Sequence, residues 1–125
     1  MSIINTLLKW IPLGKVPEMD ALSVFKILEK DNIQIVDVRS RIEWKQSNIK
    51  GSINLPIAAF TDKNVQNLSL SPDLKTVVIC LSAHRSIPAV RKLISLNFKD
   101  VHQLKGGMIS WWKAKLPTQN MSKSA

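Results

Sequence analysis

The chain has no tyrosine, one cysteine, two histidines and four glycines in 125 residues. A single cysteine, Cys80, cannot form an intramolecular disulfide, which excludes the disulfide-stapled secreted class. One cysteine and two separated histidines, His84 and His102, also make a poor zinc ligand set, so no metal is expected. No segment reaches the roughly 20 apolar residues of a spanning helix. Acidic residues are scarce: nine Asp and Glu stand against eighteen Lys and Arg, a net charge of +9. That balance favours anionic partners. The basic residues are scattered, however, with no run of four and no interleaved aromatics, so nucleic acid is not the expected partner. Repeats and low-complexity segments are absent, and the length suits one domain with its own core.

What is present divides the chain in three. Residues 1–14 form an N-terminal segment in which Ile3, Ile4, Leu7, Leu8 and Ile11 follow helical spacing, ended by Pro12 and Gly14. This extra amphipathic helix could rest on an acidic membrane surface through residues 1–12, pack on the domain, or pair with another chain. It lacks the basic start and small-residue cleavage site of a signal peptide. A cytoplasmic location is therefore the expectation, with peripheral attachment at the inner membrane left open. Residues 15–117 form the domain, and residues 118–125 a polar tail expected to fray.

Within the domain, strands and helices alternate. Pro17 is expected to open a helix running to about Lys30, with Leu22, Phe25 and Leu28 on one face. Ile33 to Val38 reads as a parallel strand buried on both faces. A short helix over Ser40 to Asn48 precedes a strand at Ser52 to Leu55. Ile57 to Leu68 is partly helical. Thr76 to Ile79 is a further strand, Ser86 to Leu96 a helix, and Val101 to Leu104 a strand. Gly106-Gly107 is a turn before a last helix over Met108 to Lys115. This alternation implies an α/β fold with a largely parallel sheet, whose ligands sit at the carboxyl ends of the strands.

Cys80 follows one such strand directly. The loop Cys80-Leu81-Ser82-Ala83-His84-Arg85-Ser86 then leads into a helix. A turn of this length points several N–H groups inward as an anion nest, and the helix adds its positive end. A thiolate at the base of that cradle is stabilised and nucleophilic. Arg85 offers a planar cationic fork suited to an oxyanion. Ser86 is a candidate N-cap. The cradle N–H groups belong to Leu81, Ser82, Ala83, His84, Arg85 and Ser86. His84 is a rim residue with no acid visible beside it, so it is not assigned a catalytic role. Arg39 and Glu43 are expected to pair as a structural tie.

Three motifs in order resemble those of single-domain rhodaneses. The first is Asp37-Val38-Arg39 with Glu43-Trp44 and Ile49-Lys50-Gly51-Ser52-Ile53-Asn54-Leu55-Pro56. The second is the Cys80 to Ser86 loop. The third is Leu104-Lys105-Gly106-Gly107-Met108 with Trp111. The resemblance covers roughly Lys15 to Pro117. It implies a rhodanese-like α/β fold with a five-stranded parallel sheet and helices on both faces. It also implies sulfur transfer through a Cys80 persulfide, with no cofactor. The donor would be a small sulfur anion such as thiosulfate, or a persulfidated protein; the acceptor would be cyanide or a thiol. Phosphatase-like relatives of this fold carry a longer loop, so the ring closed by Cys80 and Arg85 argues for sulfur over phosphate. Two residues depart from the family pattern. Ala83 stands at a usual glycine, and Leu81 stands where users of thiosulfate often carry a cation. A rhodanese-fold module that binds an acidic partner or a membrane surface and does little chemistry is the rival expectation.

Overall fold

A computed structural model describes residues 15–122. The expected N-terminal helix lies outside the described residues.

Five parallel strands form one sheet. They are β1 (Glu18–Met19), β2 (Gln34–Asp37), β3 (Ile53–Asn54), β4 (Thr76–Ile79) and β5 (Val101–Leu104), in the order β1-β5-β4-β2-β3. The helices are α1 (Ala21–Lys30), α2 (Arg41–Gln46), α3 (Asp62–Asn67), α4 (Ser86–Ser95) and α5 (Gly107–Lys113), with a 3-10 turn at Ile57–Ala59. β4 is central, and all four of its residues are buried. Its β-branched run suits a strand covered on both sides.

Side chains alternate across the sheet and build two cores. Val36, Val38, Val78 and Cys80 face α3 and α4, where they meet Val65, Ala89, Val90 and Leu93. Ile35, Val77, Ile79 and Leu104 face α1 and α5, where they meet Val24, Met108 and Trp111. Trp111 is 1% exposed and packs edge-on against Phe25, ring centres 6.1 Å apart. Trp112 points outward, as two adjacent helical positions must diverge.

Pro17 does not open α1. Its carbonyl accepts from Gln103 N at 2.8 Å, which leads the chain into the edge strand β1. The helix starts at Ala21, where the Asp20 side chain caps Ser23 N at 2.8 Å. Edge pairing thus uses three residues that sequence spacing alone assigns to the helix. The tail, expected to fray from Thr118, makes backbone hydrogen bonds to the α2 region over residues 119–122. Asn48 and Gln119 exchange backbone hydrogen bonds of 3.0 and 2.9 Å, and Met121 N donates to Lys45 O. Asn48 is fully buried, and its amide also bonds Trp44 O and the Gln119 side chain. Burying that amide requires partners, and the tail supplies one.

Candidate active site

β4 ends at Ile79 and delivers Cys80 to the carboxyl edge of the sheet, in the middle of the five strands. The residue is 1% exposed. Residues 81–85 then curl before α4 begins at Ser86. Among the described residues, none of the N–H groups from Leu81 to Ser86 donates to a backbone carbonyl. Six donors are thus left without a backbone acceptor, open to an anion held in the loop.

The shape of the loop has two visible causes. The first is Ala83, at φ +73°. One left-handed residue reverses the chain sharply enough to turn successive N–H groups to one side. The second is the start of α5. Met108 N donates to Cys80 O at 2.9 Å, and Ile109 N to Leu81 O at 3.1 Å. These are the unpaired donors of a helix N-terminus, and they hold the loop carbonyls away from its interior. The approach is close. A Cβ on Gly107 would lie 2.4 Å from both carbonyl oxygens, so only glycine fits there. The glycine pair, read from sequence as a turn, thus also supports the loop.

Ser86 is not an N-cap. It is the first residue of α4, and the capping position, Arg85, makes no side-chain cap bond. The Ser86 hydroxyl is buried and lies 3.5 Å from Cys80 Sγ, with Gln103 on its other side. Buried beside the sulfur, it finds Gln103 rather than a backbone N–H.

The expected Arg39–Glu43 tie is replaced by two others. Arg39 is 1% exposed and turns back onto Asp37, with Nη2 to Oδ2 at 2.8 Å, and also donates to Ser47 O. Glu43 instead takes Arg85 bidentately, at 2.8 and 3.0 Å. Glu43 also closes a capping box with Ser40. The Arg85 fork is therefore occupied by a carboxylate rather than open to an oxyanion. The Arg85 guanidinium holds the Glu43 carboxyl down at about 2, aided by bonds from Ser40. Glu43 in turn raises Arg85, and the Cys80 sulfur adds to that effect.

The other loop residues form the rim. Ser82 and His84 are exposed and face each other, Oγ to Nδ1 at 3.1 Å. Leu81 is half-buried, and its carbonyl accepts from Ile109 N. No group of three or more metal-ligating side chains occurs among the described residues. The arrangement can hold a sulfur-borne negative charge over α4, with the reacting atom reached from the sheet's carboxyl edge.

The chain belongs to the rhodanese-like domain family, whose model matches residues 21–114. It is similar to an uncharacterized protein of Synechocystis, 30% identical over 74% of this chain and 50% of that protein. It is also similar to the chloroplastic Thiosulfate sulfurtransferase 16 of Arabidopsis thaliana, 28% identical over 85% of this chain and 96% of that protein. The chain spans half of the first relative, and about 31% of a Wolbachia tRNA uridine(34) hydroxylase that it also matches. Among solved structures it resembles a rhodanese-like domain from Anabaena, with 27% identity and a TM-score of 0.75. That match covers 89% of this chain and 85% of that one.

Proposed function

We propose that this domain is a sulfurtransferase that carries sulfane sulfur on Cys80. The observation that carries the reading is the sulfur's place at the base of a loop with six uncommitted N–H groups. In the first half-reaction the Cys80 thiolate attacks the outer sulfur of the donor. The Sγ–S bond forms, the donor's own S–S bond breaks, and the remainder leaves with the electron pair: sulfite from thiosulfate, a thiolate from a persulfide. The loop N–H groups then hold the charged terminal sulfur. In the second half-reaction a thiolate or cyanide attacks that sulfur and Cys80 leaves as thiolate. No cofactor is needed, because the sulfur is held covalently.

Two features favour a persulfidated protein over thiosulfate as donor. Leu81 brings no cation to the loop, and the Arg85 charge is matched by Glu43. Exposed Ile109, whose N–H bonds Leu81 O, adds an apolar side chain beside the loop. Cyanide-dependent thiocyanate release should therefore be faster with a persulfide donor than with equimolar thiosulfate. The reverse order would favour thiosulfate as the natural donor.

The same pairing of Arg85 with Glu43 supports a second reading, a weakly active cytoplasmic module that docks at an acidic surface. Flotation with anionic liposomes would then depend on residues 1–12 and weaken with salt. Cys80 sulfuration at a useful rate argues for the first reading.

A further inference from the structure

Cys80 is one end of a polar chain that crosses the sheet. The Cys80 thiol donates to Ser86 Oγ at 3.5 Å. The Ser86 hydroxyl donates to Gln103 Oε1 at 2.5 Å. Gln103 Nε2 donates to Glu18 Oε2 at 2.9 Å. Ser86 and Gln103 are buried, at 0% and 4% exposure. Gln103 sits on β5, between β4 and the edge strand β1.

The direction of every bond follows from the far end. A carboxylate such as Glu18 only accepts. The Gln103 NH2 group must therefore face Glu18, which leaves its carbonyl oxygen toward Ser86. That oxygen also only accepts, so the Ser86 hydroxyl gives its one hydrogen to Gln103. What Ser86 turns toward Cys80 is a lone pair. A lone pair suits an S–H and opposes a sulfur anion.

We propose that Gln103, anchored by Glu18, is a positioning residue that fixes the Ser86 hydroxyl as an acceptor toward Cys80. The inference rests on Cys80 being the reacting thiol. Its consequence is that the Ser86 hydroxyl offers no hydrogen bond to a sulfur anion. The thiolate and the persulfide then rely on the loop N–H groups without help from Ser86. Other charged and titratable groups stand near the loop. Arg85 comes from the loop, with Glu43 from α2 paired to it. Asp37 comes from β2, with Arg39 bonded to it. His84 stands on the rim. α5 contributes backbone N–H groups to the loop carbonyls. Substitution at Gln103 touches none of these.

The test uses alkylation of Cys80 by iodoacetamide in the full-length protein, followed across pH by intact mass. It requires no sulfur donor, so it stands apart from whether sulfur transfer occurs. Gln103→Leu removes the acceptor and frees the Ser86 hydroxyl to donate to the sulfur anion. Alkylation below its high-pH plateau should rise roughly three- to tenfold, the scale of one hydrogen bond, and the profile should move to lower pH. In a Ser86→Ala background the same change should have no effect. Glu18→Gln, a substitution at an exposed position, removes the fixed direction without disturbing the core and should move the profile the same way. Unmoved profiles in both Gln103→Leu and Glu18→Gln would overturn the inference. So would a Gln103→Leu shift of equal size in the Ser86→Ala background.

Discussion

Ala83 adopts φ +73°, a conformation that costs an L-residue about 1–2 kcal/mol. The loop imposes it, because the chain must reverse there to aim its N–H groups inward. Ala83→Gly should therefore raise the urea midpoint, by the equivalent of about 1 kcal/mol after the entropy of glycine is counted. Cys80 chemistry should be retained in that variant. A lower midpoint would mean that the alanine methyl makes contacts that outweigh the strain. Gly107 is the opposite case. A methyl there meets two carbonyl oxygens at 2.4 Å, and both belong to backbone that cannot move aside. Gly107→Ala should destabilise by about 2 kcal/mol or more and displace the loop. Thermal unfolding and the Cys80 alkylation rate would both report it. At position 83 the sequence itself carries alanine, and only the family's usual glycine there pointed toward φ > 0. The need for glycine at 107 was legible only as a motif, because its cause is a loop 26 residues earlier in the chain.

At the scale of elements, α2 is bound to the active-site loop through Glu43 and Arg85. Glu43 falls from its ordinary 4.5 to about 2, chiefly through the Arg85 hydrogen bonds. A carboxyl depressed on folding adds stability that is present above about pH 4.5 and is lost as pH falls toward 2. Both side chains are about a third exposed, so solvent screens the pair and its contribution is modest, about 1 kcal/mol or less. Glu43→Gln should flatten the dependence of stability on pH between 4.5 and 2, measured by urea unfolding at a series of pH values. An unchanged slope would show that other carboxyls carry the acid sensitivity. Sequence spacing suggested Arg39 as the partner of Glu43, four residues apart and one helical turn away. The helix starts after Arg39, however, and that side chain turns inward to Asp37. Pairs set by tertiary approach, such as Arg85 with Glu43 across 42 residues, leave no local pattern to read. Ser86 misled in the same way: its residue type suits a cap, but the buried acceptor on β5 claims its hydroxyl.

For the whole molecule, the alternation of β-branched runs and amphipathic stretches was enough to reveal a parallel α/β sheet. The strand leading to Cys80 stood out because its run, Thr76 to Ile79, is uniformly β-branched. The edge strand β1 was the hardest to see, being two residues long and preceded by a proline that also suits a helix start. The position of the thiol at the sheet's carboxyl edge follows from topology. β4 lies between β5 and β2, so its end opens where the loops after the strands gather. The proposed transfer assigns the sulfur to Cys80, which stands at this point. Cys80→Ser should lower sulfur transfer to background while leaving the unfolding midpoint within about 1 kcal/mol, since the side chains are similar in size. The most direct measurement is intact mass of the full-length protein after exposure to thiosulfate and to a persulfide. The expected result is a gain of one sulfur atom, removed by cyanide and absent in Cys80→Ser. No gain with either donor, or an equal gain in Cys80→Ser, would contradict sulfur transfer through this residue.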